Sequence, residues 1–200
     1  MEPMSHISIQ YYHKNNRQIQ IVKEANLIQQ FFKIRSNFNK IILGQAIVEI
    51  IDKSTSENNA IPIIYRLGWR ILDKMNKIDV DHRVLFAFFL YQLALRLGFM
   101  PNINTCYQCN SKLIRALINE QTGELSCNNC NPNSNLILND NSILFLQELA
   151  ILHLDKIQYQ KYNSLEILNV LTFLDIFTYI HIEGMKNVRS LKMVKKIIAI

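Results

Sequence analysis

The chain contains four cysteines, in Cys106-Tyr-Gln-Cys109 and Cys127-Asn-Asn-Cys130, two C-x2-C pairs separated by seventeen residues. Two thiolates three residues apart on a tight turn converge on one cation, and a second such turn closes a tetrahedron with no open position for water or substrate. The pattern predicts Zn2+ held by four sulfurs in a structural role. Two disulfides fit less well, because every cysteine stands in a C-x2-C pair and the Met-Glu-Pro opening carries no signal-peptide pattern. A thioredoxin-type redox pair needs a βαβ setting, and a deaminase zinc site needs a His-x-Glu beside a Pro-Cys-x-x-Cys; the sequence offers neither.

No catalytic set emerges from the other polar residues. The histidines, His6, His13, His82, His153 and His181, are scattered, and none stands in pattern with a nucleophile or a paired carboxylate. His153 and His181 lie in apolar stretches and read as hydrogen-bonded core histidines. With only five glycines there is little material for a phosphate-cradling loop, so neither ATP use nor enzymatic activity is expected.

Charge points elsewhere. The formal net charge of +6 is unevenly placed: Lys14, Arg17, Lys23, Lys33, Arg35 and Lys40 face a single acid, Glu24, and Lys186, Arg189, Lys192, Lys195 and Lys196 face none. Such clusters suit a polyanion, since phosphate contacts release counterions and need only positive charge along a path; solvated helix faces are the competing reading. Tyr11 and Tyr12 beside Lys14 and Arg17 offer base stacking, although Tyr11 shares the apolar phase of Ile7 and Ile9 and also suits sheet packing. In the last helix Lys186, Arg189, Lys192 and Lys196 fall near one stripe, and Val188, Leu191, Val194 and Ile198 near another. Arg189 has a second reading, as a residue that bonds carbonyls of the neighbouring helix.

The elements that must position these residues are mostly helical. Ile7, Ile9 and Tyr11 alternate, His13 to Arg17 form a turn, and Ile19 and Ile21 resume the alternation, which predicts a β-hairpin. A hairpin alone exposes unpaired edges, so partner strands are expected. From Glu24 the pattern reads as helical through Leu27, Ile28, Phe31 and Phe32 to Ile50, and the polar segment Lys53–Ala60 breaks it before Pro62. Further helices are expected at Ile63–Met75, Asp81–Leu97 with Gly98 at C′, Ser142–Leu154, Ser164–Glu183 and from Asn187 onward. The apolar run Val84–Leu95 is too short to span a bilayer, and Ile167–Ile182 carries Asn169, Asp175 and His181, so both read as buried helices and no membrane partner is expected. The fold class is therefore mainly α, a helical domain with a four-cysteine zinc-ribbon-like insert and a β-hairpin in front.

The order of these features resembles a known family. A helix ending Leu97-Gly98-Phe99-Met100-Pro101, then Cys106-x-x-Cys109, Gly123, Cys127-x-x-Cys130, His181-x-x-Gly184 and Arg189-Ser190-Leu191 is similar to the bacterial recombination mediator family RecO, over nearly the whole chain. The departures are Asn110 where a glycine is usual and Glu124 where a second glycine is expected, and both leave the cysteines intact. Members usually begin with an oligonucleotide-binding (OB-fold) barrel, and Met1-Glu-Pro-Met-Ser-His-Ile resembles its late strands. The resemblance implies residues 1–23 as a barrel remnant and 24–200 as the helical domain, with the zinc insert at about 104–133. It further implies a cytoplasmic, nucleoid-associated DNA-repair mediator of the RecF pathway, not an enzyme. Such a protein binds single- and double-stranded DNA, anneals strands, and helps load RecA together with RecR and single-strand binding protein. The alternative is a helical zinc-ribbon protein-interaction module that has lost DNA binding.

Overall fold

The computed structural model describes residues 4–55, 61–100 and 102–198, with backbone alone at 197 and 198. Residues 1–3 of the opening, residues 56–60 of the polar break, Pro101 of the Leu-Gly-Phe-x-Pro approach and the Ile198 side chain lie outside the described residues.

Strands β1 (Ser5–Tyr12) and β2 (Ile21–Gln30) form an antiparallel hairpin running from Ser5 opposite Gln30 to Tyr12 opposite Ile21. The helical reading from Glu24 is overturned as far as Gln30. Strand β2 carries two residues without a partner in β1, Lys23 and Ile28, and each shifts the register. A bulge breaks the two-residue alternation, so Leu27, Ile28 and Phe31 imitate helical spacing inside a strand. Among the described residues no other strand joins this sheet. At its root the hairpin meets the helical body: His6 packs against Tyr65 and Trp69, Gln29 donates to Asp73 at 2.8 Å, and Arg35 donates to Ser5 Oγ at 2.7 Å.

The body comprises α1 (Phe32–Arg35), α2 (Phe38–Ser54), α3 (Pro62–Lys77), α4 (His82–Arg96), α5 (Asp140–Ile151), α6 (Ser164–His181) and α7 (Leu191–Ile198). Every residue of α4 from Val84 to Ala94 is buried, as expected of a helix that is apolar all round and lies at the centre of its neighbours. Helices α2, α3, α5 and α6 pack on it. Local chemistry sets the ends. Pro62 opens α3, Asp81 caps α4 by accepting from Arg83 N–H, and Asn163 and Glu166 form a reciprocal capping box on α6. Helix α4 stops in a Schellman motif: Phe99 N–H reaches Ala94 C=O at 2.9 Å and Gly98 N–H reaches Leu95 C=O at 3.1 Å, with Gly98 at φ +81° as expected.

The last helix begins at Leu191, later than expected, because Glu183–Asn187 closes into a 3₁₀ turn first. Here α2 intervenes: the Glu49 carboxylate accepts from Arg189 N–H and Ser190 N–H, each at 2.9 Å, and from Ser190 Oγ–H at 2.6 Å. An acidic side chain from another helix thus satisfies the free N–H groups ahead of α7. Between α4 and α5 a small lobe holds the cysteines on a three-stranded antiparallel sheet, β4 (Leu125–Ser126), β3 (Ala116–Ile118) and β5 (Ile137–Leu138) in spatial order.

Candidate metal centre and basic surfaces

Two backbone turns build the cysteine site. In the first, Asn110 N–H returns to Cys106 C=O at 2.9 Å with Asn110 at φ +57°, a left-handed position that Asn occupies more readily than most residues. In the second, Cys130 N–H and Asn131 N–H both reach Cys127 C=O. Tyr107 N–H donates to Leu125 C=O at 3.0 Å and Cys127 N–H donates to Cys106 Sγ at 3.3 Å, which brings the turns together. All four Sγ atoms lie within 4.8 Å of one another, with Cys106 buried and Cys109 exposed.

The donor set fits a metal. Cys109 and Cys127 Sγ are 3.7 Å apart, and four sulfurs at about 2.3 Å from one tetrahedral ion would sit about 3.8 Å apart. The thiols also pull one another's ionisation apart. The backbone N–H of Cys130 holds Cys127 down at about 6, while hydrogen bonding to Cys127 and then Cys109 pushes Cys130 up to about 12. Burial opposes ionisation of Cys106, but N–H groups of Cys109, Cys127 and Gln108 outweigh it and hold that thiol low. Thiols that cannot all ionise side by side can do so around a shared cation.

The lobe is fastened to the body along α5 and α6: β5 packs on both helices, and Gln147 of α5 donates to Asn104 Oδ1 at 3.0 Å. His181 of α6 donates from Nε2 to Thr122 C=O at 2.9 Å, and Gly123 lies against Phe177. His181 is thus hydrogen-bonded, as expected, but only partly buried and not a core residue. His153 is exposed beyond the end of α5, and the core reading of that residue is corrected. The helical stretch ends at Ile151, and at the 3₁₀ turn that follows, Leu154 goes into the core while His153 faces out.

The basic residues are distributed as follows. Lys14 and Arg17 are exposed in the β1–β2 turn, which Gln20 ties by donating to Lys14 C=O and Arg17 C=O and accepting from Lys14 N–H. Lys23 is exposed on β2 and Lys33 on α1. Arg35 is half-buried and joins helix to hairpin. Lys40 points inward, 5% exposed and paired with Asp79 at 3.3 Å, and leaves the outer cluster. Lys186, Arg189, Lys192 and Lys196 are exposed around α7, and Lys195 pairs with Asp175 at 2.8 Å. Arg189 contacts α2 through its backbone N–H. Lys33 and Arg35 precede the N-terminus of α2 whereas Arg189 meets its later turns, so the two clusters are not one patch. Tyr11 and Tyr12 are 55% and 57% exposed beside the turn, and among the described residues the ring that Tyr11 meets is His13, edge-on. Glu49 escaped sequence reasoning; a lone acid on a helix face carries no local signal of a partner 140 residues away.

A family model described as Recombination protein O C terminal matches residues 35–190. The chain belongs to the RecO family. The resemblance carried by the Leu-Gly-Phe approach, the cysteine pairs and the Arg-Ser-Leu close agrees with that match. Among relatives called DNA repair protein RecO, the one from Salinibacter ruber is 29% identical over 104 residues, covering 52% of this chain and 40% of its own length. The one from Chlorobium phaeobacteroides is 26% identical over 153 residues, covering 73% and 58%. That of Azobacteroides pseudotrichonymphae is 20% identical over 195 residues, covering 98% and 78%. The chain spans about half the length of the curated relatives it matches first. Among the described residues no helix is long and apolar enough to cross a membrane.

Proposed function

We propose that this RecO-family chain is a recombination mediator in DNA repair, one that binds single- and double-stranded DNA and anneals strands. In this reading it helps load RecA with RecR and single-strand binding protein, and Cys106, Cys109, Cys127 and Cys130 hold a structural Zn2+. The hairpin acts as a barrel-type element ending at Gln30, and the helical body carries the zinc lobe. One observation carries the DNA contact: Tyr11 and Tyr12 stand exposed beside a turn bearing Lys14 and Arg17, with Lys23 along the same strand pair. Aromatic faces accept unstacked bases while the cations take phosphates, and neither contact requires bond chemistry. Annealing follows from the same physics, because positive charge placed between two polyanions lowers their repulsion.

The role of the zinc is to fold the lobe; with four sulfur ligands it has no position for substrate. The test is fluorescence anisotropy of a labelled single-stranded oligonucleotide at several salt concentrations, with the zinc-loaded chain and its Lys14→Ala/Arg17→Ala variant. Loss of two phosphate contacts should flatten the slope of log affinity against log salt by about 1.4 and weaken binding alike for all sequences. An unchanged slope moves the site off the hairpin. No binding at low salt would favour the interaction-module reading.

A further inference from the structure

Helix α3 presents three faces. Ile64, Leu67, Ile71 and Met75 enter the core. Tyr65, Trp69 and Asp73, one turn apart, receive the hairpin through His6 and Gln29. One position further round, Arg66, Arg70 and Lys74 form a basic stripe at four-residue spacing, so that successive charges rise by about 6 Å along the axis. The stripe borders a cleft of 300 Å³ between α3, the end of α4 and the chain leaving α5, which Arg96 and His153 also line.

Among the described residues the cations of this cleft outnumber the acids paired with them. Arg96 is tied back to Gln92, donating to its C=O at 2.9 Å and to its side-chain oxygen, and burial followed by the charge of Arg70 makes that guanidinium less basic than usual. Among the described residues Asp155 pairs with the stripe, 2.7 Å from Lys74 and 3.6 Å from Arg70, and Asp73 feels the charge of Lys74. Ile63 and Ile151, 45% and 78% exposed, flank the cleft with apolar surface.

We infer that the α3 stripe and its cleft are a second contact surface for the phosphate backbone of single-stranded nucleic acid, with the Asp155 carboxylate holding a phosphate position in the free chain. The inference rests on the proposed DNA binding. A rigid line of charges repeating once per turn matches a repeating polyanion better than a single carboxylate, and the two isoleucines give unstacked bases an apolar wall. Because α3 also seats the hairpin, a strand leaving Lys14 and Arg17 can continue along the helix, or two strands can lie on adjoining faces.

The test uses the full zinc-loaded chain, with Arg66→Ala/Arg70→Ala and Asp155→Asn, and melting and zinc content as controls; all three side chains are exposed, so both variants should fold. In the anisotropy titration the double variant should flatten the salt slope by about 1.4. Asp155→Asn, by freeing the stripe from an exposed ion pair, should tighten binding about two- to five-fold at low salt. If the wild-type chain binds, the Lys14/Arg17 variant loses slope and the Arg66/Arg70 variant does not, the cleft is overturned while the DNA reading stands. If the wild-type chain does not bind at low salt, both fall. Weaker binding by Asp155→Asn also overturns the inference. So does hexaglutamate binding that is lost in Arg66→Ala/Arg70→Ala while oligonucleotide binding is unchanged, an outcome that would assign the cleft to an acidic protein partner.

Discussion

Gly184→Ala tests whether the C-terminal turn and α2 form one seam. A Cβ at Gly184 would lie 1.7 Å from Lys53 C=O oxygen and 2.4 Å from its carbon, and both are backbone atoms that no rotamer can withdraw. Real Cβ atoms essentially never approach closer than 3.0 Å, so turn and helix must separate by at least 1.3 Å. The same turn delivers Arg189 and Ser190 to Glu49 through bonds of 2.9 Å, and a shift of that size stretches them past hydrogen-bond range. Overpacking costs about 1–3 kcal/mol and the lost cap about 0.5–2 kcal/mol, so a total near 3 kcal/mol is reasonable. For a chain of this size that corresponds to a melting temperature lower by about 6–12 °C. Gly98→Ala is the control. Its φ of +81° penalises a side chain, but nothing lies within 4 Å of the added Cβ, so it should cost about 1 kcal/mol, or about 2–4 °C. Thermal melts read the difference, and hydrogen exchange should show α7 amides losing protection in Gly184→Ala alone. If Gly184→Ala melts no lower than Gly98→Ala, the close approach of turn and helix is wrong.

Further outcomes follow from the site and its supports. Cys127→Ser should lose bound zinc and unfold the lobe, because metal binding energy there is folding energy; unchanged zinc stoichiometry and melting would count against the metal reading. A chelator should do the same to the wild-type chain, read as loss of amide protection across β3, β4 and β5. Acid should loosen α7. Burial works against the Glu49 carboxylate, but bonds from Ser190 Oγ–H and the Arg189 and Ser190 N–H groups outweigh it and hold it below its ordinary range. A depressed carboxylate contributes its full stability above its ordinary range and loses it as pH falls through the folded value. Glu49→Gln should therefore show a smaller drop in melting temperature than wild type between about pH 6 and about pH 3, and equal drops would remove Glu49 from the account.

The sequence by itself determined what depends on near neighbours. Cys-x-x-Cys turns converge because three residues span one knuckle, and the site is assembled from two of them. The ends of α3 and α4 are set by Pro62 and Gly98, each visible as a local signal, whereas the Asn163–Glu166 capping box that opens α6 was recognised only in the structure. The family was legible for the same reason, in short runs such as Leu97-Gly98-Phe99 and Arg189-Ser190-Leu191. The tertiary structure alone decided the rest. Residues 24–30 became strand because β1 supplied backbone partners and bulges at Lys23 and Ile28 disguised the alternation. Lys40 left the basic surface because its side chain packs inward and meets Asp79. Glu49 became the anchor of α7, and Arg66, Arg70 and Arg96 came to share a cleft, through contacts between elements far apart in the chain. Such pairings are set by packing around α4, and no window of neighbouring residues encodes them.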